Sequence, residues 1–176
     1  MTTANAVPQR ARADFEAFFD RHHRELAQLA YLLTGDHTAA DDLTAEAFLV
    51  AWRQWHQVSS VDLRLAYVRR VVANLAATRI RRLTRERIRL PLFLVADTDV
   101  STGPDTAAVV DVRAALLKLP HRRRACVVLR YALDLPEAEV AQMLGISVGT
   151  VKSQASKGLR QLQAHLDGDA NGGRHE

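Results

Sequence analysis

The chain has 176 residues, 48% of them hydrophobic and 25% charged, with 8 glycines, 6% aromatics and a formal net charge of +4. That composition is ordinary for a globular protein and disfavours an all-β design, while the length allows one domain or two small ones. A lone cysteine, Cys126, excludes an internal disulfide and a multi-cysteine zinc site, and with no apolar run near membrane-span length and no signal-peptide core the chain is expected in the cytoplasm.

Residues 1–11 read as a frayed, disordered tail. Phe15, Phe18, Leu26, Leu29, Ala30 and Leu33 recur at helical spacing from Asp14 to Leu33. Thr34, Gly35 and Asp36 stop that helix and start the next, which runs roughly from Thr38 to Trp55 with Leu43, Ala47, Val50 and Ala51 on one side. A short polar loop from His56 to Val61 follows, with Asp62 as the N-cap of a long helix, roughly Leu63 to Arg89. Leu65, Val68, Val72 and Leu75 form its stripe, and its far end becomes arginine-rich.

Leu90-Pro91 ends that helix, and the Asp-, Thr-, Ser-, Gly- and Pro-rich stretch to Asp105 has the composition of a flexible linker. Periodicity resumes at Thr106 with Val109, Val112, Leu116 and Leu119, and stops at Pro120. A helix from about Arg122 to Leu133 comes next, with Cys126 a buried small hydrophobe in its apolar run. Pro136 is then expected at the first position of a short helix.

That helix, the turn after it and the next helix carry the strongest local signal. Gly145 suits the left-handed conformation that ends a helix, and Ser147 can cap the following one. Val140, Leu144, Ile146 and Val151 fall where the two helices would pack, with small Ala141 at the crossing. Thr150, Lys152, Ser153, Gln154, Ser156 and Lys157 are left for the outer surface, short hydrogen-bonding or cationic side chains suited to base edges and phosphates in a major groove. The competing reading is a solvated helical hairpin. The last helix is expected to reach about Leu166, with Leu159, Leu162 and Leu166 inward, before a disordered tail from 168 to 176.

The charges are segregated. Residues 12–63 hold 4 basic and 9 acidic groups, net −5, and residues 64–90 hold 9 arginines against Glu86, net +8. Residues 91–111 hold four aspartates and no base, net −4, and residues 112–168 hold 9 basic and 4 acidic groups, net +5. Two basic blocks around an acidic one point to two separate contacts with a polyanion. The chain thus reads as all-α, two small helical domains joined by a flexible acidic linker, each near the lower size limit for folding alone, so that mutual docking or a partner would help order them.

Several motifs in this order carry a resemblance. They are Phe15-Glu-Ala-Phe-Phe-Asp-Arg-His-His, Ala30-Tyr-Leu-Leu-Thr-Gly-Asp36, Ala39-Ala-Asp-Asp-Leu-Thr-Ala-Glu-Ala-Phe48, Ala51-Trp-Arg-Gln-Trp55 and Tyr67-Val-Arg-Arg-Val-Val-Ala-Asn-Leu75. In the second half stand Leu116-Leu-Lys-Leu-Pro120, Leu129-Arg-Tyr131 and Leu144-Gly-Ile-Ser-Val-Gly-Thr-Val-Lys-Ser153. Over most of residues 14–166 the chain resembles the extracytoplasmic-function (ECF, group IV) sigma factors of bacterial RNA polymerase, short actinobacterial members in particular. The resemblance implies sigma region 2 over 12–90, a linker over 91–105 and sigma region 4 over 106–167.

It further implies a monomer when free, without cofactor, metal or catalytic residue, that binds core polymerase through the β′ clamp helices and the β flap and directs initiation at −35 and −10 promoter elements. Asp41, Asp42 and Glu46 would meet the clamp helices, although acids also suit a helix N-terminus. Melting the −10 element needs a base pocket and a cationic rail. The loop before Asp62 could supply the pocket, with Trp55, Tyr67, Arg69, Arg70 and Asn74 around it, and Arg79, Arg81, Arg82 and Arg85 the rail. Trp52 is read as core, Trp55 is left open, and Asn74 has an alternative role bridging helices. Arg122, Arg123 and Arg124 oppose the dipole at a helix start and would meet −35 phosphates alongside Thr150, Lys152, Ser153, Gln154, Ser156 and Lys157.

Asp97, Asp99 and Asp105 could mimic nucleic acid in a polymerase channel, and an anti-sigma protein is a candidate regulator because many members are held by one. Three positions depart from the family pattern: Ala45 where glutamine is usual, Thr78 where aspartate is frequent, and Gln154 where arginine is common. Glutamine pairs with adenine where arginine favours guanine, so Gln154 bears on promoter choice. An enzyme is disfavoured by the lack of a Walker loop, HExxH or nucleophile motif. The alternative is a helix-turn-helix repressor or activator binding duplex DNA without polymerase, which leaves the arginine-rich first domain unexplained.

Overall fold

The computed structural model describes residues 9–57, 61–89 and 107–172. Among them are seven α-helices and no strand: α1 (Gln9–Thr34), α2 (His37–Arg53), α3 (Val61–Arg89), α4 (Ala107–Lys118), α5 (His121–Val127), α6 (Glu137–Leu144) and α7 (Val148–Gly172). The acidic stretch read as a linker lies outside the described residues.

The first three helices form a bundle whose joints follow the local chemistry. Gly35 takes φ +75°, its N–H donating to the Tyr31 carbonyl at 2.7 Å, and Asp36 accepts from the Ala39 N–H at 3.0 Å to cap α2. The core between them holds Leu26, Leu29, Leu33, Leu43, Phe48, Val68 and Val72. α1 begins at Gln9, so the tail expected to reach residue 11 is already helical there, and α3 begins at Val61, which puts Asp62 in its first turn.

The second bundle packs α5 against α7 closely enough that a Cβ at Gly158 would lie 2.6 Å from Val127 Cγ2. The helix expected to reach Leu133 changes character at Val128: residues Val128–Ala132 form a π-helical turn, the Leu133 N–H donating to the Val128 carbonyl at 3.2 Å. Pro136 takes the cap position just before α6 rather than its first turn. α7 continues to Gly172, past the expected end. Leu159 and Val112, both expected inward, are exposed, because Leu162 and Leu116 take the core-facing register of their helices.

The two bundles dock on each other. α3 packs on α6 and α5, and α1 on α4 and α5. Arg124 Nη1 donates to the Leu33 carbonyl at 2.5 Å and Nη2 to the Leu117 and Leu119 carbonyls at 2.9 and 3.2 Å. Arg113 bonds the Tyr31 hydroxyl, and the Tyr31 ring stacks on His37 with centroids 3.9 Å apart. Leu117 sits on Gly35, its Cδ atoms filling the space that a side chain at that position would need.

Candidate nucleic-acid and partner surfaces

The helix-turn-helix forms for the reasons its sequence gives. Gly145 takes φ +64°, and the Ile146 N–H returns to the Ala141 carbonyl at 3.0 Å. Ser147 Oγ accepts from the Thr150 N–H at 3.1 Å and lies 2.8 Å from the Thr150 hydroxyl, so the cap also holds that side chain. Val140 and Val151 are fully buried at the crossing. This leaves Lys152, Ser153, Ser156 and Lys157 exposed along α7, with Gln154 and Thr150 half-buried. Lys152 Nζ lies 3.5 Å from Glu137 Oε2 on the preceding helix. At that degree of exposure the pair is weak, and a phosphate can displace the carboxylate.

The three arginines that open α5 separate. Arg122 is exposed, Arg123 donates to Gln161 Oε1 at 2.9 Å, and Arg124 is only 7% exposed. Arg124 is therefore not a phosphate contact in this fold: three carbonyls take its guanidinium, and burial pulls its pKa below the ordinary value. A buried cation without a counter-ion persists only where hydrogen bonds replace its lost hydration. The neighbouring His121 imidazole is held down to about 4 by burial and then by Arg124, Arg81 and Arg122.

On α3, Asn74, Arg70, Arg81, Arg82 and Arg85 are exposed and Arg79 half-exposed. The cationic row is held by its own helix: Arg81 Nη2 donates to Thr78 Oγ1 at 3.3 Å, Arg85 Nε to the Arg81 carbonyl at 3.3 Å, and Arg82 Nε lies 3.5 Å from Glu86 Oε1. Tyr67 Oη donates to Gln54 Oε1 at 2.8 Å, tying α3 to the end of α2 at the loop.

Two residues of this group lie elsewhere than expected. Trp55 is 2% exposed, its ring 5.0 Å from Phe15 and 5.1 Å from Phe18, with Arg64 Cζ 4.1 Å over its face. It cannot stack on a base without leaving the core. Arg69 is ion-paired to Glu25 at 2.6 Å and lies 3.8 Å from Glu139 on α6, so its charge is answered by carboxylates. Trp52, read as core from the three-residue spacing, is the one that stays half-exposed, its ring 4.8 Å from that of Phe15, while Trp55 takes the core position.

Asp41, Asp42, Ala45, Glu46 and Leu49 are all exposed on the outer face of α2. Beside them Phe15, Phe19, Ala45, Phe48, Leu49 and Trp52 line an apolar groove of about 700 Å³ between α1 and α2. Leu49, 58% exposed, is the functional candidate that sequence reasoning missed. Its signal was Asp42, Ala45, Glu46 and Leu49 at i, i+3, i+4 and i+7, which places an apolar residue on an otherwise polar stripe. Among the described residues no cluster of His, Cys, Asp or Glu could hold a metal, and no helix is long and apolar enough to cross a membrane.

Comparison with known proteins adds to this geometry. The family model described as sigma-70 region 2 matches residues 18–86, and that described as sigma-70, region 4 matches residues 110–162. The ECF RNA polymerase sigma factor SigM of Mycobacterium tuberculosis is 34% identical over 162 residues, 92% of this chain and 81% of that one. The structure of CnrH in complex with the cytosolic domain of CnrY superposes with a TM-score of 0.64 at 26% identity, covering 90% of each chain. The sigma factor RpoE of Bartonella quintana, in complex with the anti-sigma factor NepR, shares the fold with a TM-score of 0.69 at 23% identity, covering 88% of this chain and 97% of that one.

Proposed function

Since the chain belongs to the ECF family of RNA polymerase sigma factors, we propose that it binds core polymerase and directs it to promoters carrying a −35 and a −10 element. The observation that supports this best is the pairing, in one chain, of a capped helix-turn-helix with an exposed cationic face on α7 and a separate arginine row on α3. One major-groove reader alone would serve a duplex-binding repressor, whereas the second cationic surface suits a strand being opened.

Lys152, Ser153, Gln154, Ser156 and Lys157 would meet the −35 major groove, and Arg122, with Arg123 behind it, the flanking phosphates. Asn74 would read a −10 base, with Tyr67 and Arg70 on the same helix and Arg79, Arg81 and Arg82 following the backbone upstream. Asp41, Asp42 and Glu46 would face the β′ clamp helices, with Leu49 and the groove beside it taking apolar contacts. The protein acts as an initiation factor and carries out no chemistry of its own. Complexes such as RpoE with NepR make an anti-sigma protein a further partner class for this chain.

Run-off transcription with purified core polymerase tests the reading. Stimulation from a subset of promoters is expected, and duplex binding by the chain alone with no effect of core would favour the repressor reading.

A further inference from the structure

Gln54 closes α2 on a fixed backbone. Its N–H donates to the Ala51 carbonyl at 3.1 Å, and its own carbonyl accepts from the Gln57 N–H at 2.9 Å. The next residue, Trp55, is anchored in the core beside Phe15 and Phe18. The Gln54 side chain is exposed, yet it is tied as well: Tyr67 Oη donates to its Oε1 at 2.8 Å. An exposed glutamine ordinarily samples many rotamers, and ordering it costs free energy. Here Tyr67 has already ordered it, which preorganises the side chain for contact with a ligand.

The tie also fixes which end of the amide faces outward. A carboxamide has an acceptor oxygen and an NH2 group that only donates. Oε1 is turned to Tyr67, so the outward end is Nε2. Tyr67, Arg70 and Asn74 stand at i, i+3 and i+7 and share one face of α3. Tyr67 lies about 10 Å along the helix from Asn74, at 1.5 Å of rise per residue, and Gln54 sits beside Tyr67. Two carboxamides thus mark the ends of one face, with an aromatic ring and a cation between them, the parts of a single-strand track.

We propose that Gln54 is a second base reader for the −10 strand, that Tyr67 is its positioning residue, and that the pair selects a keto base. The inference rests on the promoter-recognition reading above and adds a base preference to it. Thymine O4 and guanine O6 accept hydrogen bonds, whereas cytosine N4 and adenine N6 donate them. An Nε2 group held outward against the exocyclic position pairs with the first two and opposes the others. A glutamine free to rotate would present either end of its amide and discriminate little. One neutral hydrogen bond corresponds to about three- to tenfold in promoter use.

The test is initiation by purified core polymerase with the full chain, on a promoter it uses, with all four bases permuted at each −10 position. Thymine or guanine should be favoured about three- to tenfold over adenine or cytosine at one position, and Asn74→Ala should leave that preference in place. Gln54→Glu offers acceptors only and should invert it toward adenine and cytosine, with the other positions unchanged. Tyr67→Phe should remove it, because the amide can then turn either way. Thermal melts of both variants should match the parent's, since the contact is exposed. A parent preference for amino bases there overturns the proposal, and so does a loss of stability in Tyr67→Phe with the preference intact, which would make the contact a structural tether. A parent that stimulates promoters with a base preference indifferent to Gln54→Glu overturns this inference alone. A parent that stimulates none overturns the promoter-recognition reading with it.

Discussion

The guanidinium of Arg124 donates to the carbonyl oxygen of Leu33 at 2.5 Å across 91 residues of sequence. One residue of an Arg122-Arg123-Arg124 run thus holds two bundles together while Arg122 faces solvent. The same side chain ties off the Leu117 and Leu119 carbonyls where α4 ends. A segment that looks uniformly cationic carries separate roles for binding and for assembly.

That division predicts opposite outcomes for neighbouring substitutions. Arg122→Ala should leave the melting temperature unchanged and reduce the salt dependence of −35 duplex binding by nearly one unit in log–log slope, as expected for one phosphate contact. Arg124→Ala should leave the slope intact and cost roughly 2–3 kcal/mol of stability, the loss of charged hydrogen bonds with three carbonyls left unpaired. Salt titrations and urea melts of both variants check this, and a slope change in Arg124→Ala would return that residue to the DNA surface.

Gly158→Ala should destabilise the second bundle. Alanine gains about 1 kcal/mol over glycine in a helix interior, but the added Cβ would lie 2.6 Å from Val127 Cγ2 and 3.4 Å from the Arg123 carbonyl. Val127 is buried and branched, with no room to retreat. Overpacking of this kind costs about 1–3 kcal/mol, so a net loss of about 1 kcal/mol is expected. A denaturant midpoint equal to or above the parent's would show that α5 and α7 can move apart freely.

Leu49→Asp should weaken binding to core polymerase at least about tenfold, as expected when an apolar anchor at an interface centre is replaced by a charge. Because Leu49 is 58% exposed, the fold should melt as the parent does. Ala45→Gln, which restores the family's usual residue beside the groove, should change core affinity without affecting duplex binding. Competition against a labelled sigma factor measures both, and parental affinity in Leu49→Asp would place the polymerase contact elsewhere on the bundle.

Acid should loosen the structure through His121. Its imidazole titrates near the ordinary 6.5 when unfolded but only at about 4 when folded, because burial and the charges of Arg124, Arg81 and Arg122 oppose protonation. The unfolded state therefore binds more protons between these values. Stability from this site is complete above about pH 6.5 and declines as the pH falls toward 4. The loss is on the order of 1–2 kcal/mol after solvent screening at a partly exposed site. His121→Gln should flatten this part of the stability profile, and an unchanged profile would assign the acid sensitivity to other groups.

The joints of the fold were legible in the sequence because local chemistry makes them. Gly145 ends α6 in the left-handed conformation and Ser147 caps α7, each by hydrogen bonds reaching no further than five residues. Gly35 and Asp36 likewise divide α1 from α2. The exposed face of α7 followed from knowing which of its residues pack. The π turn at Val128–Ala132 was not legible, since an apolar run fits α and π geometry alike.

The sequence by itself determined the order of the helices, the caps at Asp36, Gly145 and Ser147, the segregation of charge and the family. Only the tertiary structure decided the fate of side chains whose type suits two environments. An arginine can pair with phosphate or with carbonyls, and a tryptophan can stack on a base or fill a core. Trp55 lies between Phe15 and Phe18, Arg69 between Glu25 and Glu139, and Arg124 against Leu33. The physical reason is that burial and counter-charge arise from residues distant in the chain, which no local spacing encodes.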